Sequence, residues 1–266
     1  MGPMQRLQEG VRVVLEAGLA PAERLAIADG VVDVSGTAVR GGVYQARTFA
    51  PRRPWRRPEP WESEMLLGQA QDEASGEPVS VVRAPAPVLA MMPRAQEAAD
   101  SGEPLDALFV ERLAESVHRW VSAAFHASRF FVVGAHRGTS DQQTATKEGE
   151  LLVGLHVDNW ERSPISSRHE CRSRLCVNLG REDRFFLFIN RPIHRMLDEV
   201  EIERAGNACE LGEAFLATFS EYPVVSLRVR PGEAYIAPTE NVLHDGSTRG
   251  SSSPDLIYTV LGDFSR

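Results

Sequence analysis

The segment ELLVGLHVDNW places His156 and Asp158 two residues apart. On an extended strand, residues at that spacing project to the same face. An imidazole and a carboxylate can then approach one ion together while Val157 points the other way. The triplet alone says little, because a chain with seven histidines and 37 acidic residues meets such spacings by chance. A third group comes from RVRPGEAYIAPTENVLHDGST, where a strand, a Pro-Gly reversal, a second strand and a short loop end at His244. The reversal predicts that EAYIAP pairs back against VVSLRV, with His244 at the rim of a barrel. Two imidazoles and one carboxylate on one side of an ion leave its other positions open. That facial arrangement suits non-haem iron(II), with open positions for a co-substrate and O₂.

These residues need a β framework. From position 130 onward, RFFVVGAH, ELLVGLHV, RLCVNLG, RFFLFIN, VVSLRVR, EAYIAP and DLIYTVLGDF are short and rich in β-branched or aromatic residues. Seven such runs predict a closed or two-sheet β structure. One short helix, ELGEAFLATFS (about 210–220), interrupts them. The clearest helix precedes them at about 105–126, where Leu108, Phe109, Leu113, Val117, Trp120, Val121 and Phe125 recur at three- and four-residue steps. His118 and His126 on or near it read as structural or surface groups. Upstream, Leu7, Val11, Val14 and Leu15 predict a helix over 4–18, stopped at Gly18. VVDV and GVYQARTF read as short strands. PRRPWRRPEPW (51–61) cannot be a regular helix and reads as an ordered crossing pinned by Trp55 and Trp61. Residues 70–80 and 95–104 read as loops.

The chain has 266 residues, 42% hydrophobic and 25% charged. Such a length buries a sizeable core unaided, so a bound metal is expected to serve chemistry rather than folding. The expected organisation is an N-terminal region (1–100) of helix, short strands and extended segment packed on a catalytic core (101–266), one compact domain overall. The net charge of −8 argues against nucleic-acid binding. Lys147 is the only lysine, and arginine-rich, Ala- and Gly-rich usage is the mark of a bacterial genome of high GC content. Cys171, Cys176 and Cys209 fit no zinc spacing and read as free thiols. With no signal-peptide or membrane-spanning apolar run, the protein is expected to be soluble and cytoplasmic.

His-Val-Asp, followed after several strands by a histidine behind a Pro-Gly-Glu turn, resembles the iron(II)/2-oxoglutarate-dependent oxygenases of double-stranded β-helix (jelly-roll) fold. The resemblance covers about residues 130–264. It implies a mainly β fold with flanking helices (α+β), a jelly-roll core, and His156, Asp158 and His244 as iron ligands. It also implies a reaction in which O₂ and 2-oxoglutarate are consumed, succinate and CO₂ are released and a small-molecule C–H bond is hydroxylated. Asp158 disfavours a halogenase, which usually has a small residue there. The wording LHVDNWERSP and LHDGST is similar to bacterial hydroxylases of amino-acid or natural-product tailoring.

Within that resemblance, 2-oxoglutarate needs a buried cation for its far carboxylate, and arginine is the best bidentate partner. Many members carry it on the last strand, about ten residues after the distal histidine, but DLIYTVLGDF has none. Arg174 and Arg249 compete for the role, with Asn178, Tyr258 and Thr259 as added hydrogen-bonding groups. The polar segment after the ligands could cover substrate, with Trp160 as a wall and Arg162, Arg168 and Arg172 for an acidic group. His136 lies before a polar loop that could line the way in. His169 and His194 read as surface residues, and Asn241 and Asp245 as groups that could orient His244. Two other functions fit the same residues: a cupin-like dioxygenase or isomerase without 2-oxoglutarate, and a non-catalytic jelly-roll binding module.

Overall fold

The computed structural model describes residues 6–21, 23–39, 42–68, 78–125, 128–138, 144, 151–200 and 206–264, the side chains of 128–133 and 136–138 excepted. The N-terminal part supplies strands β1 (Val13–Leu15), β2 (Leu25–Ala28), β3 (Val31–Asp33), β4 (Ala38–Val39), β5 (Gly42–Tyr44), β6 (Phe49–Pro51) and β7 (Val79–Arg83). Helices α1 (Pro60–Leu66), α2 (Ala86–Leu89), α3 (Met92–Ser101) and α4 (Ala107–Ala124) belong to the same half. The rest holds β8 (Ser128–Gly138), β9 (Leu151–Leu152), a 3-10 turn (Ile165–Glu170), β10 (Ser173–Asn178), β11 (Arg184–Pro192), α5 (Ile193–Met196), α6 (Ala208–Thr218), β12 (Val224–Val229), β13 (Glu233–Ala237), β14 (Val242–Ser247) and β15 (Asp255–Asp263).

Two sheets face each other. One has the order β1-β7-β13-β10-β15-β8, the other β14-β11-β12-β2, and residues around His156 join the second through a bridge to His244. From β8 onward the chain steps between them: β8 in the first, the His156 segment in the second, β10 back, β11 and β12 across, β13 back, β14 across and β15 back. That alternation is a double-stranded β-helix. The N-terminal strands widen both sheets: β1 and β7 continue the first, and β2 continues the second.

Strand parity divides the side chains into three layers. Between the sheets lie Val81, Cys176, Phe186, Phe188, Leu227, Tyr235 and Val242. The outer face of the larger sheet presents Leu175, Val177, Ile236, Tyr258 and Val260 to α4, whose Leu113, Val117 and Val121 are fully buried. The outer face of the smaller sheet packs Leu187, Ile189 and Leu243 against Leu211 and Phe215 of α6.

Several expectations are corrected. In place of the helix expected over 4–18, the described residues 6–18 hold no helix: Val13–Leu15 is a strand parallel to Val79–Val81, since those side chains gain more by completing a sheet than by forming an exposed turn of helix. Residues 92–101 form a helix rather than a loop, because Met92, Ala95 and Ala99 at helical steps are buried against the core. Of the loop expected over 70–80, residues 70–77 lie outside the described residues, and Val79 opens β7. Trp61 is exposed on α1, which starts with Pro60 at its first turn, where a missing N–H is harmless. Trp55 is half-buried, and Arg56 pairs with Ile27. The Pro231-Gly232 turn makes no hairpin: β12 pairs with β11 and β2, whereas β13 pairs with β10 and β7. Gly232 (φ +78°) carries the chain from one sheet to the other, its N–H donating to Asn178 O. His126 lies outside the described residues.

Candidate metal centre

Gly154 (φ +57°) ends the regular strand before the ligands, so ELLVGLHV keeps only Leu151–Leu152 as strand. A Cβ at Gly154 would stand 2.6 Å from Phe49 O, so only glycine fits the turn. Beyond it, Leu155 and Val157 face the α6 side while His156 and Asp158 turn inward. His156 then pairs with β14, its N–H donating to His244 O at 2.9 Å and its carbonyl oxygen accepting His244 N–H at 2.7 Å. Asp158 N–H donates to Thr239 O at 3.0 Å. Two separate chain segments are thereby locked side by side.

One ligand atom from each of His156, Asp158 and His244 lies within 4.8 Å of the others. His156 Nε2 is 3.9 Å from Asp158 Oδ1, and His244 Nε2 is 3.9 Å from Asp158 Oδ2. Each ring uses its other nitrogen locally. His156 Nδ1 meets Gly154 O at 2.8 Å and His244 Nδ1 meets Val242 O at 3.1 Å. A carbonyl accepts only from N–H, so both rings carry a proton on Nδ1 and turn Nε2 toward the carboxylate. Burial, then the neighbouring His156, pushes the His244 pKa down to about 3, which keeps that ring neutral. Burial opposes ionisation of Asp158, but Arg174 and then the two imidazoles outweigh it and hold its pKa below the usual value. His244 is buried at 3% exposure, inside the barrel rather than at its rim.

The remaining residues singled out in the sequence separate. Arg174 shares the inner face with Cys176, and its Nη2 lies 2.6 Å from Asp158 Oδ2. Arg249 is not in the barrel: its guanidinium is stacked on Phe185 at 3.8 Å and Trp55 at 4.3 Å, on the outer side of the smaller sheet. Burial, then Arg53, pushes its pKa down to about 10. Tyr258 is buried against the outer helices, because it alternates with the inward Thr259. Thr259 Oγ1 is 3.8 Å from Cys176 Sγ between the sheets. Asn178 points inward but organises turns, its Nδ2 donating to Glu182 O and Val229 O.

Arg168 is no surface arginine. It is 2% exposed and donates to Asp158 O, Glu240 and Asn159. Arg172 is tied to Glu161 at 2.7 Å, Arg162 is exposed, and Trp160 is 60% exposed just beyond Asp158. His136 lies opposite Ile257 in β8, with its side chain outside the described residues. His169 is exposed, but His194 is half-buried with Nδ1 3.1 Å from Asn241 Oδ1. Asn241 therefore serves His194, and Asp245 accepts Thr144 N–H; backbone carbonyls orient His244 instead.

Sequence reading missed Arg184, the first residue of β11. Parity with Phe186 and Phe188 places it in the barrel interior, and that parity was the available signal. Phe188 is opposite His244 and Phe186 opposite Gly246, one inward step along β14. Arg184 fills the space left by that glycine, with Nη2 3.0 Å from where a Gly246 Cβ would stand. Its Nη1 bonds Asp255 Oδ2, while Nε is buried without an acceptor.

Two cavities of 310 and 400 Å³ lie on the outside of the molecule, one beside Trp61 and one between Met91 and α4, away from the triad. No helix among the described residues is long and apolar enough to cross a membrane.

No protein-family profile and no curated protein matches the sequence. Among solved structures the chain is similar to the Kdo hydroxylase KdoO, a non-heme Fe(II) alphaketoglutarate-dependent dioxygenase in complex with cobalt(II). That likeness has a TM-score of 0.44 and 16% identity, over 71% of this chain and 80% of that one. It is similar to the non-heme alpha ketoglutarate-dependent epimerase SnoN from nogalamycin biosynthesis, with a TM-score of 0.39 and 14% identity over 71% and 81%. It is also similar to the iron and alpha-ketoglutarate-dependent endoperoxidase NvfI, with a TM-score of 0.41 and 12% identity over 92% and 100%.

Proposed function

We propose that the chain is a non-haem iron(II)/2-oxoglutarate-dependent oxygenase that hydroxylates a C–H bond of a small molecule. The observation that carries this reading is the convergence, inside a β-barrel, of two imidazole Nε2 atoms and one ionised carboxylate, the metal-ligating cluster found among the described residues. The donor set fits iron(II): two imidazoles and one carboxylate would hold the ion and would leave room for further ligands. Asp158 Oδ2 is buried between Arg174 Nη2 at 2.6 Å and His244 Nε2 at 3.9 Å, surroundings that hold the negative charge an iron(II) ion would meet. Bound there, iron(II) supplies the activation of O₂ coupled to oxidative decarboxylation of the 2-oxo acid.

The chain's own groups do the positioning. His156, Asp158 and His244 hold the ion. Arg174 keeps Asp158 ionised from within the barrel. Arg184 receives the far carboxylate of 2-oxoglutarate. Since Nη1 is taken by Asp255, the edge formed by Nε and Nη2 remains for a two-point carboxylate contact. Its place beside Gly246, one inward step from His244, matches the short reach between the keto-acid end and the far carboxylate. Phe186 and Phe188 line the wall between and exclude water. The substrate is an amino acid or natural-product intermediate approaching past Trp160; the net charge of −8 disfavours large polyanions.

The Asp255 carboxylate on Arg184 favours a second reading, a metal-dependent dioxygenase or isomerase of the same fold without 2-oxoglutarate. One experiment separates them. Anaerobic Fe(II) and 2-oxoglutarate are added to the protein, and a visible charge-transfer band is sought. Appearance of the band, and its loss in His244→Ala, supports the first reading. Stoichiometric iron with no band and no succinate from any substrate tested would overturn it in favour of the second.

A further inference from the structure

A buried ion pair behind the triad has no part in holding the metal or the co-substrate. Arg168 comes from the 3-10 turn Ile165–Glu170, and Glu240 from the loop leading into β14. Both are 2% exposed. One nitrogen, Arg168 Nη1, donates to Asp158 O at 2.7 Å and to Glu240 O at 2.8 Å, with Glu240 Oε2 at 3.2 Å. Nη2 donates to Asn159 Oδ1. The other carboxylate oxygen, Glu240 Oε1, accepts Trp160 N–H at 2.5 Å and Glu161 N–H at 3.4 Å. The pair therefore grips the chain at residues 158–161 and at 240. Those are the exit from one half of the metal site and the approach to the other.

We infer that Arg168 and Glu240 are positioning residues that fix the separation of Asp158 from His244. The inference rests on the metal reading above. The physical ground is the sharing of one guanidinium nitrogen between two backbone carbonyls. Asp158 and Glu240 cannot drift apart without breaking a charge-assisted bond in a dry interior, and such bonds are roughly twice as strong as neutral ones. The bridge between His156 and His244 fixes one side of the triad, and Asp158 N–H on Thr239 O is a single backbone tie on the Asp158 side. The guanidinium closes that second side. A lysine reaches the same place with a single ammonium but cannot serve Asn159 and Glu240 together.

The test is titration of the metal-free protein with Co(II), read by its visible ligand-field absorption, beside thermal melting. Wild type is expected to bind one Co(II). Arg168→Met is expected to weaken binding by about tenfold to a hundredfold and to change band shape, and Arg168→Lys to recover part of both. Glu240→Gln, of the same size, is expected to fall between and decides the matter if Arg168→Met does not fold. Leu113→Ala, on α4 far from the site, is the stability control: it lowers the melting temperature and leaves the Co(II) spectrum unchanged. Folded Arg168→Met or Glu240→Gln protein with wild-type affinity and spectrum would overturn the positioning role alone. Failure of wild type to take up Co(II) would overturn the metal reading itself.

Discussion

His156 and His244 are each other's backbone partners: each N–H donates to the other's carbonyl, and the rings lie 4.5 Å apart. Distant parts of the chain thus supply two of the proposed ligands through one two-bond bridge. Replacing either ring by alanine leaves that bridge intact and removes only a donor. We expect His156→Ala and His244→Ala to fold with near wild-type melting temperatures and to lose Co(II) affinity by more than about a hundredfold, beyond what loss of an outer partner causes. Equilibrium dialysis with metal analysis checks this; full metal content in either variant would show that the triad is not the site.

Arg184→Gln is expected to raise the KM for 2-oxoglutarate by about tenfold to a hundredfold, since a hydrogen bond to a charged group contributes about 1.5–3 kcal/mol. Arg249→Gln should leave it unchanged, because Arg249 stacks outside the barrel. Co-substrate titrations of the two variants under saturating iron decide between them. A reversed order of effects would return the anchor to Arg249.

Gly154→Ala forces a side chain into a left-handed position with Phe49 O and Thr48 Cγ2 each 2.6 Å from the new carbon. The strain is expected to cost about 1–3 kcal/mol. Gly154 O also fixes the proton of His156, so Co(II) affinity should fall with stability. Urea unfolding and metal titration on one sample measure both; a stability loss with unchanged metal binding would separate the turn from the ligand.

The buried pair Arg24–Glu233, with both contacts at 2.8 Å, lies away from the metal ligands. Burial raises the Glu233 pKa, but the bonds from Arg24 and from Arg230 N–H outweigh it and hold it below the ordinary value of 4.5. A carboxylate whose folded pKa is depressed contributes stability above the unfolded pKa and loses it as pH falls through the folded one. Glu233→Gln should therefore cost about 3–5 kcal/mol at neutral pH, leaving Arg24 unpaired. It should also flatten the loss of stability that wild type shows below about pH 4.5. Urea midpoints across that range test both, and parallel pH curves would exclude Glu233 as the source.

The parts of this site that depend on local periodicity were legible in the sequence. Strand parity aimed His156 and Asp158 one way, and helical spacing marked α4 nearly to its ends. What failed depends on partners far along the chain. Val13 is a strand residue because Val79 waits beside it, and nothing near Val13 says so. Pro231-Gly232 specifies a sharp turn but not whether the next strand lies in the same sheet; the pairing of Tyr235 with Cys176 settles that. Arg249 and Arg184 look alike in one dimension. Only the inward parity of Phe186 and the missing side chain of Gly246 distinguish the arginine in the barrel from the one outside. Arg168 stood in a polar run that reads as solvated, and its burial follows from Glu240, far downstream.

Each ligand histidine takes its proton-accepting partner from the carbonyl two residues before it, Gly154 for His156 and Val242 for His244. The hydrogen bonds that orient both rings are therefore written into three-residue stretches of main chain, with Phe186 stacked on His244 beside them. In evolutionary terms the metal centre is modular. On the proposed function, substitutions at the exposed Trp160 and Arg162 leave these carbonyl contacts in place, whereas Arg168 and Glu240, which tie Asp158 to the approach to β14, are not free to vary.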